Sequence, residues 1–322
     1  MSLALLIVAN ANTYSHIADA YDEKPWFAKV NQLVTDDLRD RLDWVGIPFA
    51  NTGSSSDAKE VRLLDYACGT GLLSRVSLHT LAMPLQSSQG QVYAPYVTIT
   101  RGIDLSPNMV ATFNARARVA GLPEDTINAV VGDLFDKANP SPPEFDVPEW
   151  KDFDLATVGF AFHHFEDVVH AAKSLKERLR PGGAIVINDF LEGGDMKADE
   201  NGDPIPGTEG NHAAHHHQHE HGSDHDHKAH EHHHQHHHSH HHDTKKDQDD
   251  PTLQVREEMN ASIVTPHFTL DHVRNFFTEA GLVDVDVVKM KERVYMEFAG
   301  TRLWRTILFA KGRRPLEEKS EL

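Results

Sequence analysis

Cysteine occurs once in 322 residues, as Cys68, so no intramolecular disulfide can form and a disulfide-stapled scaffold is excluded. Positive charge is scarce. Against 49 Asp and Glu stand 31 Lys and Arg, a formal net charge of -18, and such a surface repels the phosphate backbone of DNA or RNA. A bilayer-spanning helix needs about 20 apolar residues. The apolar stretch Leu3 to Ala9 falls far short of that, and no Lys or Arg precedes it. It reads as a segment packed on the domain rather than a secretion signal. These absences predict a cytoplasmic protein with no nucleic-acid partner and no stable membrane insertion. With 39% hydrophobic and 25% charged residues, the chain can build one large α/β domain or two small ones.

What is present is an alternation. Residues 12–48 read as helical, with Ile17, Ala20, Phe27, Val30, Leu33 and Leu38 on a broad stripe and Pro25 marking a break or a start. After a Gly/Ser-rich connector at 51–59, Val61 to Tyr66 has the length of a strand and ends in the turn Gly69-Thr70-Gly71, with a helix from about Leu72. Further strands are expected at Val97–Ile103, Ile127–Val131, Phe153–Phe162 and Ala184–Ile187. Between them, Ser106-Pro107 is an N-cap followed by a first-turn proline, Gly121 ends that helix, and Pro181-Gly182-Gly183 stops the next. The nearly continuous apolar fourth strand suits a parallel strand buried on both faces. After an interruption at about 192–252, Thr269 caps a helix that Gly281 ends. Strands at Val283–Val287 and Leu303–Ala310, with no helix between them, must be antiparallel. The pattern predicts an α/β fold, a parallel sheet with helices on both faces.

In such a sheet ligands bind beyond the carboxyl ends of the strands. The first strand ends Asp65-Tyr66-Ala67-Cys68-Gly69-Thr70-Gly71, where small residues admit a ligand close to the backbone. The second ends in Asp104, an acceptor-only carboxylate suited to two ribose hydroxyls. The third runs into Asp133, with Leu134 and Phe135 placed to line an adenine. The plainer alternative is that Asp104 and Asp133 only cap turns or helices. Gly69-Thr70-Gly71-Leu72-Leu73-Ser74 also nearly fits the dinucleotide fingerprint, which brings in an NAD(P)-dependent oxidoreductase. Against it, the last small position is Ser, Asp65 stands before the loop, and Asp104 lies well beyond the usual spacing of about 20 residues.

Leu63 to Gly71, Gly102-Ile103-Asp104-Leu105-Ser106-Pro107-Asn108-Met109, Gly132-Asp133, Phe162-His163-His164-Phe165 and Leu179-Arg180-Pro181-Gly182-Gly183 appear in that order over residues 61–190. Together they resemble the class I S-adenosylmethionine-dependent methyltransferases, in particular the small-molecule, quinone-biosynthesis-like group. That family usually has Gly where Ala67 stands. The resemblance implies a Rossmann-like, doubly wound, mostly parallel seven-stranded sheet with an antiparallel C-terminal strand. It implies that residues 65–71 (Asp65, Ala67, Cys68, Gly69, Thr70, Gly71) pack on the methionine part of S-adenosyl-L-methionine. Asp104 and Leu105 would then serve the ribose, Asp133 and Leu134 the adenine, and Phe160 would close the site. Residues 1–50 would be an N-terminal helical lid on a methyltransferase domain of 51–322, with Tyr14, Tyr21 and Trp26, and also His267, on the substrate side.

Methyl transfer from a sulfonium is an in-line displacement for which the protein supplies alignment and water exclusion. A base is needed only for a hydroxyl or an acidic carbon, and His163 or His164, just past the fourth strand, is the candidate. A small-molecule O, C or N acceptor is expected. No Asn-Pro-Pro-Tyr segment or Pro-Cys nucleophile is present, and no carboxylate ends the fourth strand as a magnesium-assisted catechol mechanism would need.

Residues 212–242 hold 18 of the 25 histidines, mixed with Asp, Glu, Gln and Lys and lacking the apolar residues a core needs. The segment 195–250 is therefore read as a disordered insertion. Its imidazoles would bind Zn²⁺ or Ni²⁺ weakly, without a single tetrahedral site. This raises a second reading, a metal-buffering or interaction protein on an inactive methyltransferase scaffold. Each doubling of loop length costs only about 0.6 kcal/mol. Replacing His212–His242 by a short Gly/Ser linker should thus leave folding and cofactor binding nearly unchanged while abolishing retention on immobilised nickel. A replaced protein that unfolds in metal-free buffer would refute this independence.

Overall fold

The computed structural model describes residues 25–50, 60–71, 93–140, 142–212, 262–298 and 301–316. Seven strands make the main sheet: β1 (Arg62–Tyr66), β2 (Ile99–Asp104), β3 (Ile127–Val131), β4 (Phe153–Gly159), β5 (Leu179–Phe190), β7 (Val283–Lys289) and β10 (Ile307–Arg313), in the order β3-β2-β1-β4-β5-β10-β7. The first five are parallel, and β10 runs antiparallel to both β5 and β7. The α/β Rossmann-like fold expected from the sequence is present. Chain order reverses between β1 and β4, and that switch point opens the crevice in which open α/β sheets bind ligands.

Strand periodicity divides the core. Leu64, Ala156, Ile185, Ile187, Leu308 and Ala310 pack with α4 (Val168–Arg178) and α5 (Leu270–Glu279). Their neighbours Leu63, Leu155, Ala184, Val186, Ile307 and Phe309 pack with Val30, Val34 and Leu38 of α1 (Pro25–Arg39). Successive side chains point to opposite faces, so the unbroken apolar run Ala184 to Ile187 of β5 serves both layers. A one-turn helix, α2 (Leu42–Val45), follows α1, and α3 (Pro107–Val119) joins β2 to β3. Local signals act as read. Ser106 Oγ accepts from Met109 N at 3.3 Å at the start of α3. Thr269 Oγ1 likewise accepts from His272 N at 3.0 Å to cap α5.

Several boundaries differ from the expectation: β1 and β2 start later, at Arg62 and Ile99, and β7 runs on to Lys289. The fourth strand stops at Gly159, because Phe160 takes φ 52 and turns the chain. The fifth strand begins at Leu179, already paired with Phe153, and Pro181-Gly182-Gly183 bulges out before pairing resumes at Ala184. It also continues to Phe190, three residues past the expected end. The stretch Leu303–Ala310 breaks at Thr306 into the end of β9 (Thr301–Arg305) and the start of β10.

The insertion also starts later than position 195. Residues 195–212 are folded, with β6 (Met196–Lys197) pairing with β9, which pairs in turn with β8 (Val294–Phe298) in a second, three-stranded sheet. Buried polar anchoring explains the order: Asp195 is fully buried and exchanges two backbone hydrogen bonds with Gly210. The remaining histidines of the segment lie outside the described residues. His212 itself is tied down through its amide to Asp195 Oδ2 at 3.2 Å, so a linker replacement belongs after it. Among the described residues no helix is long and apolar enough to cross a membrane. None of them form a group of three or more His, Cys, Asp or Glu able to hold a metal ion.

Gly102 sits in β2 where a Cβ would stand 2.9 Å from both the Ala129 Cβ and the Cys68 Sγ. The bare backbone thereby lets the loop after β1 settle against the sheet. Gly102→Ala should overpack this contact and cost about 1–3 kcal/mol. It is read as a lower midpoint in thermal denaturation; an unchanged midpoint would mean that Cys68 and Ala129 part freely.

Candidate functional site

Parallel register brings the carboxyl ends of β1, β2 and β3 to one edge: Asp65 pairs with Gly102, and Asp104 with Val131. Beyond β1 the chain turns through Ala67 (φ 55), Gly69 (φ 53) and Gly71 (φ 83). A left-handed backbone at Ala67 costs an L-residue about 1–2 kcal/mol that glycine avoids. That is the physical reason glycine is usual there in the resembling family. A Cβ at Gly69 would meet nothing within 4 Å among the described residues, so the turn borders open space.

Asp104 ties this turn to the next helix. Its Oδ2 accepts from Gly69 N and its Oδ1 from Ser106 N, both at 2.8 Å. The plainer role weighed for Asp104, capping a turn, is thus real, and it coexists with spare lone pairs, since a carboxylate accepts about four bonds. Burial pushes its carboxyl above the usual range, against the pull of the Ser106, Gly69 and Leu105 amides. Of the loop amides, that of Gly69 is held by Asp104; the Asp65 carboxylate is buried and takes the Thr157 hydroxyl at 3.1 Å. Thr70 is buried in the same turn. The Cys68 thiol is buried too. Burial, and then the charges of Asp104 and Asp65, raise it well above its ordinary value, which leaves it a packing residue.

Asp133 Oδ1 accepts from Tyr66 OH at 2.9 Å and Phe135 N at 2.7 Å, while its Oδ2 has no bond among the described residues. Tyr66 stays a phenol, raised first by burial and then by Asp133. Leu134 joins the buried core, and the half-buried Phe135 ring leans on Tyr66 at 4.2 Å and Phe165 at 5.0 Å.

The turn after β4 carries the histidines. Phe160 N donates to Asn188 O at 2.9 Å, and the Phe160 ring packs on Phe190 at 5.2 Å. His163 is buried, with Nδ1 2.9 Å from Asp189 Oδ1 and its backbone N donating to Asp189 Oδ2 at 3.1 Å. Its carbonyl accepts from Val264 N and Thr265 N. His164 Nδ1 lies 3.0 Å from Ser262 O and 3.1 Å from Ser262 Oγ. Burial opposes the Asp189 charge, yet His163 and the amides of His163 and Phe190 hold the carboxyl below its usual range.

Beside this pair stands a second buried polar group. Asp195 takes Arg305 Nε at 2.9 Å on Oδ1 and His267 Nε2 at 2.8 Å on Oδ2. Burial works against the carboxylate, but these two bonds hold it below the usual range. The Arg305 guanidinium lies over the Phe190 ring at 3.4 Å, and Phe190 touches His163 at 5.5 Å between centroids. His267 is thus joined to the His163 region through Arg305 and Phe190. Trp26 lies at the start of α1 against Phe27, partly buried against the same core cluster as Phe160 and Phe190. Tyr14 and Tyr21 lie outside the described residues.

Sequence reasoning missed Asp189, Asp195 and Arg305. A fifth strand followed to its true end would have found Asp189, because it is the strand-end carboxylate there. For Asp195 and Arg305, 110 positions apart, no local signal exists.

Burial, and after it the neighbouring His163, push His164 from an ordinary 6.5 down to about 3. Between those values the unfolded chain takes a proton that the folded ring refuses. Stability carried by the neutral ring is therefore present above pH 6.5 and is lost as pH falls toward 3. Thermal midpoints should decline on acidification in this window, and His164→Gln should flatten the decline. Equal slopes for both proteins would assign the acid sensitivity elsewhere.

Comparison with known proteins matches residues 64–185 to a methyltransferase domain family. An uncharacterised methyltransferase of Schizosaccharomyces pombe is 31% identical over 133 residues, 41% of this chain and 40% of that one. The 2-phytyl-1,4-naphtoquinone methyltransferase of Trichormus variabilis is 26% identical over 179 residues, 55% of this chain and 62% of that one. The chain thus spans less than two thirds of the length of these curated relatives. Among solved structures, a methyltransferase of Haloferax volcanii in complex with the activator Trm112 aligns with TM-score 0.47 and 14% identity, over 94% of this chain and 97% of that one. Residues 64–185, which carry the turn after β1 and the carboxylates Asp65, Asp104 and Asp133, are thus similar to a methyltransferase domain family.

Proposed function

We propose that the protein transfers the methyl group of S-adenosyl-L-methionine to a small-molecule acceptor. The observation that carries this reading is the pairing of Asp104 and Asp133 at the ends of β2 and β3, on either side of the 65–71 turn. The residues fit that cofactor. Among the described residues nothing lies within 4 Å of a Cβ at Gly69 and nothing bonds Asp133 Oδ2, which leaves it for the adenine amino group, and Asp104 keeps acceptor capacity for a ribose diol. When bound, the cofactor supplies a methyl group activated on sulfur. Asp65 and Ala67 to Gly71 hold the methionine side, with Leu105 and Leu134 flanking the nucleoside and Phe160 excluding water from the reacting atoms.

The acceptor enters on the side of Phe160, Phe190 and the histidines, under an N-terminal segment up to residue 50 that serves as a cover, with Trp26, Tyr14 and Tyr21 as its aromatic contacts. The quinone substrate in the name of the Trichormus relative places quinols and phenols first among acceptors to try. An acidic surface of net charge -18 supports a small molecule over a nucleic acid.

Titration calorimetry should find binding of S-adenosylmethionine and S-adenosylhomocysteine and none of NAD or NADP. Tight NAD binding with no response to S-adenosylmethionine would sink the proposal. Asp104→Ala should weaken cofactor binding tenfold or more, since bonds to a charged acceptor contribute about 1.5–3 kcal/mol each. Saturable cofactor binding with no turnover on phenols, quinols, amines or thiols would favour the inactive-scaffold reading.

A further inference from the structure

Accepting the methyltransferase reading, on which this step rests, we infer that His163 and Asp189 form a base dyad and that the acceptor is methylated on an ionisable hydroxyl. Asp189 has no solvent contact and receives three donors: His163 Nδ1 at 2.9 Å, Phe190 N at 2.8 Å and His163 N at 3.1 Å. A carboxylate with three donors stays ionised and cannot give a proton. The His163 proton therefore sits on Nδ1, and Nε2 carries the lone pair. Nε2 makes no hydrogen bond among the described residues and is not sealed from solvent, for the side chain keeps 9% exposure.

The backbone bond from His163 N to the same carboxylate fixes the ring twice, and Val264 and Thr265 hold its carbonyl. The neighbouring rings are His164 at 4.1 Å and Phe190 at 5.5 Å, and Phe190 in turn meets Phe160. The free nitrogen thus belongs to a wall of aromatic rings at the ends of β4 and β5, where an aromatic hydroxyl would lie flat. His164 is unsuited to the same task, because its Nδ1 is engaged at Ser262 and burial disfavours its charged form.

The step balances without another reactant. The acceptor hydroxyl gives its proton to His163 Nε2, and the imidazolium is stabilised by Asp189. The oxygen attacks the methyl carbon; the C–O bond forms as the C–S bond breaks, and the electron pair stays on sulfur. S-Adenosylhomocysteine and the methyl ether leave, and the imidazolium then loses its proton to water. An amine acceptor that is already neutral or a thiol already ionised needs no such base. Asp189 is a positioning residue, acting through the tautomer of His163.

The charged and titratable groups around the ring are Asp189 from β5, His164 from its own turn and, across Phe190, Arg305 from β9 with its partners Asp195 and His267. The wild-type rate on phenols should fall as pH drops.

The test uses the full chain saturated with S-adenosylhomocysteine and probed with 4-nitrophenol and 4-nitrocatechol. Bound probe should show more of the phenolate absorbance than free probe at the same pH. His163→Gln should keep S-adenosylhomocysteine affinity, lose that ionisation, and lower turnover of phenolic acceptors about 10²–10⁴-fold. The acidic limb of the pH–rate profile should vanish with it. Asp189→Asn should lower kcat with KM little changed and move the limb to lower pH; if that variant does not fold, the two readouts of His163→Gln decide alone. The inference is overturned by wild-type turnover and pH profile in His163→Gln, by absence of ionised probe in the wild type, or by transfer confined to amines and thiols. Failure of S-adenosylhomocysteine to bind at all overturns the cofactor reading, and this inference with it.

Discussion

The carboxylate of Asp104 joins the two segments proposed to hold the nucleoside. One oxygen holds the amide of Gly69 beyond β1, and the other holds Ser106 at the start of α3. Two loops that leave adjacent strands would otherwise be free to diverge by several ångströms. The bond to Gly69 in turn needs the turn to lie low over β2, and that depends on Gly102 having no side chain beneath Cys68. Ala67 stays left-handed in the same turn despite its Cβ. Strain at one residue of about 1–2 kcal/mol is tolerable because two charge-assisted bonds of similar worth fix the loop around it.

Regular periodicity made most of the fold legible. β3 falls at Ile127–Val131 as read, and the caps Ser106 and Thr269 act at the positions their spacing indicated. What escaped was set by tertiary contact. Pro181-Gly182-Gly183 reads as a helix stop, and the helix does end before it; yet Leu179 already pairs with Phe153, so the triplet is a bulge within β5. Such pairing across a sheet leaves no local trace. The cofactor-side candidates were visible because they are strand ends following apolar runs. The side proposed for the acceptor was half visible: His163 stood out, whereas its partner Asp189 was hidden by a strand judged three residues too short.

Asp195 shows why buried charge resists reading from sequence. It lies within a stretch that composition marks as an insertion, in the company of Gly, Asp and Lys, and its side-chain partners His267 and Arg305 lie 72 and 110 positions away. In space it unites β9, the residue before Phe268 and the strand after β5. Removing one partner from such a buried pair typically costs about 3–5 kcal/mol, because the other charge is left uncompensated. A cation–π contact of Arg305 with Phe190 adds about 0.5–2 kcal/mol and carries the rigidity of that cluster to the ring beside His163.

The flanks of the histidine-rich segment end on these same groups. Before it, His212 donates to Asp195; after it, Ser262 faces His164, and Val264 and Thr265 donate to the His163 carbonyl. Both ends are thus fixed by bonds that the segment itself does not provide. Once the ends are held, closing a longer connection costs only a logarithmic increment in entropy. The domain can therefore accept a long, strongly polar insertion at this point without reorganising its sheet. The bond before the insertion thus runs to Asp195, and those after it run to His164 and His163, so the two ends rest on separate buried polar groups.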